Sequence, residues 1–212
     1  MARAGSRGRE RAGAPEAAAD RRRELLEAAF ALVGERGLEG LRTRAIAARA
    51  GVNVATLHYH FGTKEALLVA LVRHASDKFA EGPPPRRGRS AMPPPATLRG
   101  HLERAWATFQ STPHLAAVLQ ELVLRSQRDA ATRAAFRALY EGWNGLVEAV
   151  LAEERLRGTL PAHLDARAGA RVVTSFILGA VVQLGVNPRA FDFDVAARTL
   201  ETWIAGGAGA GR

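Results

Sequence analysis

Apolar residues recur at helical spacing along nearly the whole chain. Leu25, Leu26, Ala29, Phe30 and Val33 fall at i, i+1, i+4, i+5 and i+8, one face of an amphipathic helix that ends near Gly37. Asp20 stands where its cap is expected. A short second helix opens at Thr43, whose hydroxyl can cap free N–H groups. It stops at Gly51, because glycine tolerates the left-handed conformation of a sharp helix end. Asn53 caps a third helix over 54–61. Thr63, after Gly62, caps a fourth, running to about 78, with Ala66, Leu67, Ala70 and Leu71 as its apolar stripe. The spacing predicts further helices over about 97–111, 113–127, 129–155, 165–186 and 192–205. With no β-alternation and no internal repeat, the expected class is all-α.

Three stretches break the pattern. Residues 1–18, rich in Arg, Gly and Ala without apolar periodicity, read as a disordered basic arm. GPPPRRGRSAMPPP, residues 82–95, holds neither a helix nor a central strand, since proline lacks the N–H and fixes φ; it reads as a linker or loop. The final GGAGAGR reads as a flexible tail, and without a flanking strand and helix its glycines are no nucleotide fingerprint. Two domains are therefore expected, residues 19–79 and 96–206.

Composition narrows the chemistry. The absence of cysteine excludes disulfides, thiolate metal sites and thiol redox sensing. No run approaches the roughly 20 apolar residues of a membrane span, and the N-terminus lacks the apolar core of a signal peptide, so a cytoplasmic protein without a membrane partner is expected. Of the 30 basic residues 28 are arginine, which reads as a genome-wide bias, so the distribution of the net charge of +9 says more than its size. Residues 1–78 carry 14 basic against 9 acidic side chains, residues 83–99 carry 4 against 0, and residues 100–212 carry 12 against 11. The positive end is thus the N-terminal one, as expected if that end meets a polyanion.

The third helix is too short and too polar to be a core helix. On a helical wheel Leu57 and Phe61 point one way with Val54 beside them, towards Ile46, Ala50 and Phe30; the opposite side carries Ala55, Thr56 and Tyr59, flanked by His58 and His60. A helix whose first exposed turn is small approaches base edges in a major groove, while Tyr and His reach phosphates on either side. From spacing alone, presentation to DNA stands beside an ordinary packing helix with exposed polar residues. A metal site at His58-x-His60 is disfavoured, because residues two apart on a helix point about 200° from each other and no third ligand is placed.

The stretch T43-x-x-I46-A47-x-x-A50-G51-V52-N53-x-x-T56-L57-x-Y59-H60-F61-x-x-K64-E65-A66-L67 resembles the DNA-binding domain of the tetracycline-repressor (TetR) family of bacterial transcription regulators, over roughly residues 20–75. The resemblance implies a three-helix domain with a helix-turn-helix motif over about 42–61. It implies backbone contacts from Thr43, Tyr59, His60 and Lys64 and base contacts from Arg44, Val54, Ala55 and Thr56. Arg42, Asn53 and His58 complete the expected DNA-binding set. The sequence departs from the family at His58, where tyrosine is common, and at Asn53 and Ala55, where serine or glycine is frequent.

In the C-terminal half, residues 172–186 are apolar nearly all round, which means burial on more than one side. Gly169, Ala170, Gly179, Ala180 and Gly185 permit close helix approach. One reading is a central helix of the chain's own core. The other is a helix shared with a second copy, followed by residues 192–205; this pattern is similar to the two C-terminal helices with which the family dimerises as a four-helix bundle. The expected homodimer interface comprises Val172, Phe176, Gly179, Val182, Leu200 and Trp203. The aromatics of 97–155 fit a core one by one. Together with nearby polar groups, Trp106, Phe109, Trp143, Phe176, Glu121, Arg125 and Gln183 form a candidate lining for the small-molecule effector cavity that the resemblance implies. This half looks like the short C-terminal domains of choline-responsive and similar repressors.

Three functions compete. The first is a homodimeric, ligand-responsive transcription regulator, a repressor of a palindromic operator in double-stranded DNA. The second is a DNA-binding architectural or adaptor protein without an effector. The third is an all-helical enzyme, against which stand the lack of a Ser-His-Asp or Cys-His arrangement, of a phosphate loop and of paired metal motifs; Glu153 and Glu154 read as a solvated face. No cofactor and no metal are expected.

Overall fold

A computed structural model describes residues 7–83 and 95–206. Among these residues it is all-helical: α1 Arg7–Arg36, a 3-10 turn Leu38–Gly40, α2 Thr43–Arg49, α3 Val54–Phe61, α4 Lys64–Glu81, α5 Leu98–Ser111, α6 Leu115–Ser126, α7 Ala130–Leu156, α8 Ala166–Val186 and α9 Phe193–Ile204. Residues 1–6 of the expected arm, 84–94 of the proline-rich stretch and 207–212 of the tail lie outside the described residues.

Two of the four expected caps, Asn53 and Thr63, are in place. The side-chain oxygens of Asn53, Thr63, Thr97, Asp129, Asp165 and Asp192 each accept a first-turn N–H of the helix that follows. Three expectations need correction. Residues 7–18 continue α1 rather than forming a disordered arm; alanine and arginine are strong helix formers, and helix propensity needs no apolar periodicity. Asp20 is accordingly inside α1, paired with Arg23 at 2.9 Å, and caps nothing. Thr43 is the first helical residue of α2, the cap position is Arg42, and no side chain bonds the free amides there.

Two apolar cores hold the helices. The first joins α1 to α4 through Leu25, Phe30, Ile46, Leu57, Phe61 and Leu71, and it also takes in Leu115, Val118 and Leu122 of α6 and Phe136 of α7. The second joins α5, α7, α8 and α9 through Leu102, Trp143, Leu151, Val173, Ile177 and Leu200. The first core therefore crosses the boundary expected near residue 79. Phe79, Phe109 and Tyr140 pack against both cores. By length and composition α8 is a candidate membrane span, contrary to the sequence expectation, but Ala170, Val173, Thr174, Ile177, Ala180 and Val181 bury one side of it in the second core.

Ion pairs and caps join the elements. Lys78 of α4 donates to Glu27 of α1 at 2.7 Å, and Arg49 of α2 holds Glu35 of α1 through two bonds of 2.7 Å. Glu154 is no solvated carboxylate: it accepts the Leu98 N–H at 2.7 Å and so caps α5. Arg104 donates to the carbonyls of Ala80 and Glu81 at the end of α4. The start of α6 docks on α1, where His114, in the left-handed region at φ 65°, lies over Gly34.

This docking makes two glycines respond oppositely to alanine. A Cβ on Gly34 would stand 2.1 Å from the His114 Cβ, which is fixed to the backbone. Gly34→Ala is expected to destabilise by on the order of 1–3 kcal/mol. Gly145, mid-helix in α7, has no heavy atom within 4 Å of such a Cβ, so Gly145→Ala should stabilise by about 0.5–1 kcal/mol. Thermal unfolding of the two variants checks both signs.

Candidate nucleic-acid interface and effector cavity

The turn between α2 and α3 is closed by backbone bonds. The Val52 N–H donates to the Ala47 carbonyl at 2.9 Å and the Gly51 N–H to the Ala48 carbonyl at 3.2 Å, with Gly51 at φ 66°. This double bond pattern needs a residue free to take positive φ, which glycine supplies. Half-buried Val52 then packs on the first core, and Asn53 starts α3 at a fixed angle to α2. Leu57 and Phe61 bury the inner side of α3.

The outer side carries the expected residues. Ala55, His58 and Tyr59 are exposed, Tyr59 to 83%, while Val54, Thr56 and His60 are half-buried. The Tyr59 and His60 rings meet edge to face at 5.2 Å. Arg42, Thr43 and Arg44 are exposed at the start of α2, and Lys64 at the start of α4. Thr43, His58 and Lys64 rim one shallow notch whose floor is Leu41, Ile46, Leu57, Phe61 and Leu67. Thr56 and Asn53 are tied together: the Asn53 side-chain oxygen accepts both the Thr56 N–H at 2.8 Å and its hydroxyl at 2.9 Å. The Thr56 hydroxyl proton is thus engaged within the cap.

A second site lies between the cores. A cavity of about 200 Å³ is walled by Ala75 and Phe79 of α4, Phe109 of α5, Leu119 and Gln120 of α6, Tyr140 and Trp143 of α7, and Leu178 and Val181 of α8, among others. Phe79 meets Trp143 edge-on at 4.8 Å and Phe109 at 5.3 Å. No charged side chain lines it, and the polar groups are Gln120 and the Tyr140 hydroxyl, whose pKa burial pushes up. Of the expected lining, Phe109 and Trp143 are there and five residues are not. Trp106 stacks on Phe193 at 4.4 Å, Phe176 packs against the same ring at 5.8 Å, and Gln183 is exposed. Glu121 accepts the Leu38 N–H at 3.3 Å, beneath α1. Arg125 lies near the end of α6 and outside the lining. Phe79 lies just past the expected end of α4 near 78, three residues short of its end at Glu81; Leu71, Ala75 and Phe79 continue its stripe at i, i+4 and i+8.

Of the expected interface residues, Val172, Val182 and Trp203 are exposed, to 52%, 48% and 71%, and Phe176 and Gly179 are half-buried. Leu200 is a correction: it is buried within this chain's own second core and presents nothing to a partner.

The comparisons with known proteins agree with this geometry. Residues 25–71 match the family model of bacterial regulatory proteins of the tetR family, and residues 94–208 match that of the BetI-type transcriptional repressor C-terminal domain. The chain belongs to the TetR family of transcription regulators, with a BetI-type C-terminal domain. It is 33% identical over 108 residues to the HTH-type transcriptional dual regulator CecR of Shigella flexneri, covering 51% of this chain and 41% of that one. It is 37% identical over 73 residues to the HTH-type transcriptional regulator BetI of Brucella anthropi, covering 34% and 38%. The chain thus spans less than half the length of these curated relatives. Among solved structures, a TetR transcription regulator from Haloarcula marismortui matches with a TM-score of 0.71 at 20% identity, covering 89% of this chain and 98% of that one. FadR from Bacillus subtilis, solved with stearoyl-CoA, matches at 0.69 and 21%, covering 88% and 98%. These two likenesses are of fold.

The cavity wall also sets a pH dependence. Buried His101 accepts the Trp143 indole N–H at its Nε2, 2.9 Å away, which requires that nitrogen to be unprotonated. Burial, with Arg104 nearby, lowers its pKa from 6.5 to about 4. The unfolded chain therefore takes up this proton as pH falls below 6.5, whereas the folded chain resists until about 4. The stabilisation is fully present above pH 6.5 and is lost as pH falls towards 4, by on the order of 3 kcal/mol. His101→Gln keeps an acceptor for the indole but has no proton to take up. Urea midpoints across this window should slope less in the variant than in the parent, and equal slopes would refute the assignment.

Proposed function

We propose that the chain is a ligand-responsive repressor that binds a palindromic operator as a homodimer in the cytoplasm. Residues 19–79 read DNA, with the motif at about 42–61, and residues 96–206 bind the effector and dimerise. One observation carries the reading: α4 begins at Lys64, on the rim of the notch beside α3, and its far end, Ala75 and Phe79, walls the aromatic cavity. A molecule that fits the cavity in only one position of α4 biases the two recognition helices, by its differential affinity for the two states and no more.

On this reading Thr43, Tyr59, His60 and Lys64 hold phosphates, with His58 beside them. Arg44, Val54 and Ala55 meet base edges, Arg42 flanks them, and Asn53 acts through its cap on Thr56. Val172, Val182 and Trp203, with Val186 and Val195, supply the apolar surface that a second copy covers. Footprinting on the protein's upstream DNA should show a protected palindrome. Val182→Asp and Trp203→Asp should sediment as folded monomers and lose that footprint, since one recognition helix reads only a half-site. A folded dimer in both variants would sink the interface.

The effector is a small, largely apolar molecule with one hydrogen-bonding group, because a buried charge would find no ionic partner in this lining. Compounds that raise the unfolding temperature should bind more weakly once operator is added, by the factor with which they weaken operator binding. Hits whose affinity ignores operator would leave the architectural reading in place of the switch.

A further inference from the structure

Three consecutive arginines on α1 behave in two different ways. Arg21 pairs with Glu24 and Arg23 with Asp20, both within the helix. Arg22 makes no ion pair or hydrogen bond among the described residues. Its guanidinium carbon lies 5.0 Å from the centroid of the Phe61 ring, over its face. An aromatic face attracts a cation without neutralising it, so the charge stays available to an anion.

Its position gives that charge a direction. Phe61 is the last residue of α3, and its ring helps floor the notch rimmed by Thr43, His58 and Lys64. Arg22 lies three and four positions before Leu25 and Leu26, both buried in the first core, so it prolongs the inward face of α1 by one turn, out to the surface. Arg22 itself is exposed. A guanidinium offers a planar fork of donors that suits phosphate, and one held against a ring gives up less freedom on binding than a free one.

We propose that Arg22 is a phosphate-contacting residue of the DNA interface, contributed by α1 from outside the helix-turn-helix and positioned by the Phe61 ring. The inference rests on the reading of α2, α3 and the start of α4 as the DNA face. It adds a fixed cation next to the recognition helix, and it carries no base preference because a phosphate is the same on every sequence.

The test compares Arg22→Met, which keeps a long chain over the ring without charge, with Arg22→Lys, which keeps the charge. Each is titrated with a duplex of the protein's own upstream sequence across a series of KCl concentrations, beside Lys64→Ala. The methionine variant should bind more weakly, with a salt slope shallower by about 0.9 per subunit bound; the lysine variant should regain the parental slope. Equal urea midpoints for all three and the parent would exclude a folding effect. A parental slope in Arg22→Met beside a reduced one in Lys64→Ala overturns the proposal and leaves the DNA face standing. Parental slopes in both overturn the DNA face itself. A slope in Arg22→Lys as shallow as in Arg22→Met overturns the proposal as well, because the charge would then not be what acts.

Discussion

Burial of one stripe on α4 is the constraint on which the rest of the structure depends. Leu67, Leu68, Ala70, Leu71, Val72 and Ala75 are buried along it, and Phe79 at its end touches both cores. An 18-residue helix is about 27 Å long, so this stripe links the notch beside α3 to the cavity between α4, α6 and α7 without a flexible joint. Close-packed interiors change arrangement in steps rather than by continuous deformation. A helix locked into two cores therefore moves with both or not at all.

Polar contacts tune this frame more than they hold it. Lys78 and Glu27 are partly exposed, and such a pair contributes about 0–1 kcal/mol; Arg49 and Glu35 pair at the open surface, where solvent screens them. One fully buried leucine contributes about 1.5–3 kcal/mol. The charged contacts do fix register, since Lys78 and His74 both face Glu27 across the α1–α4 seam. Burial is the larger effect on the His74 pKa and lowers it, against the pull of Glu27. Glu121 beneath Leu38 and His114 over Gly34 tie α6 to α1 in the same way. The cavity is thus connected to the helix-turn-helix side of the first core along two helices, α4 and α6.

Periodicity is local and was legible, and cap chemistry was legible in part. Asn53 and Thr63 cap where the sequence places them, and Leu57 and Phe61 turn inward as the wheel requires. The outward residues of α3 and the rim position of Lys64 follow from the same local rules. The cavity was only partly legible, because a lining is made by residues far apart in sequence. Trp106 and Trp143 have the same composition signal, yet one stacks on Phe193 and the other walls the cavity, held by His101 from 42 positions away. Leu200 and Trp203 sit a single turn apart on α9 and differ in which side faces the second core. The early part of α1 was not legible for another reason: apolar periodicity reports a buried face and not helix propensity.

The near-absence of lysine has a chemical consequence. Arginine carries almost all the positive charge, and the two side-chain amines of the sequence are Lys64 and Lys78. The first stands exposed at the start of α4, and the second spans the α1–α4 seam, bonded to Glu27 with its ammonium 5.3 Å from the Phe30 ring centroid. Acylation of an amine removes its charge. Side-chain acylation thus has two addresses here: at one it would erase a cation on the notch, at the other it would remove a charged contact that sets the register of the α1–α4 seam.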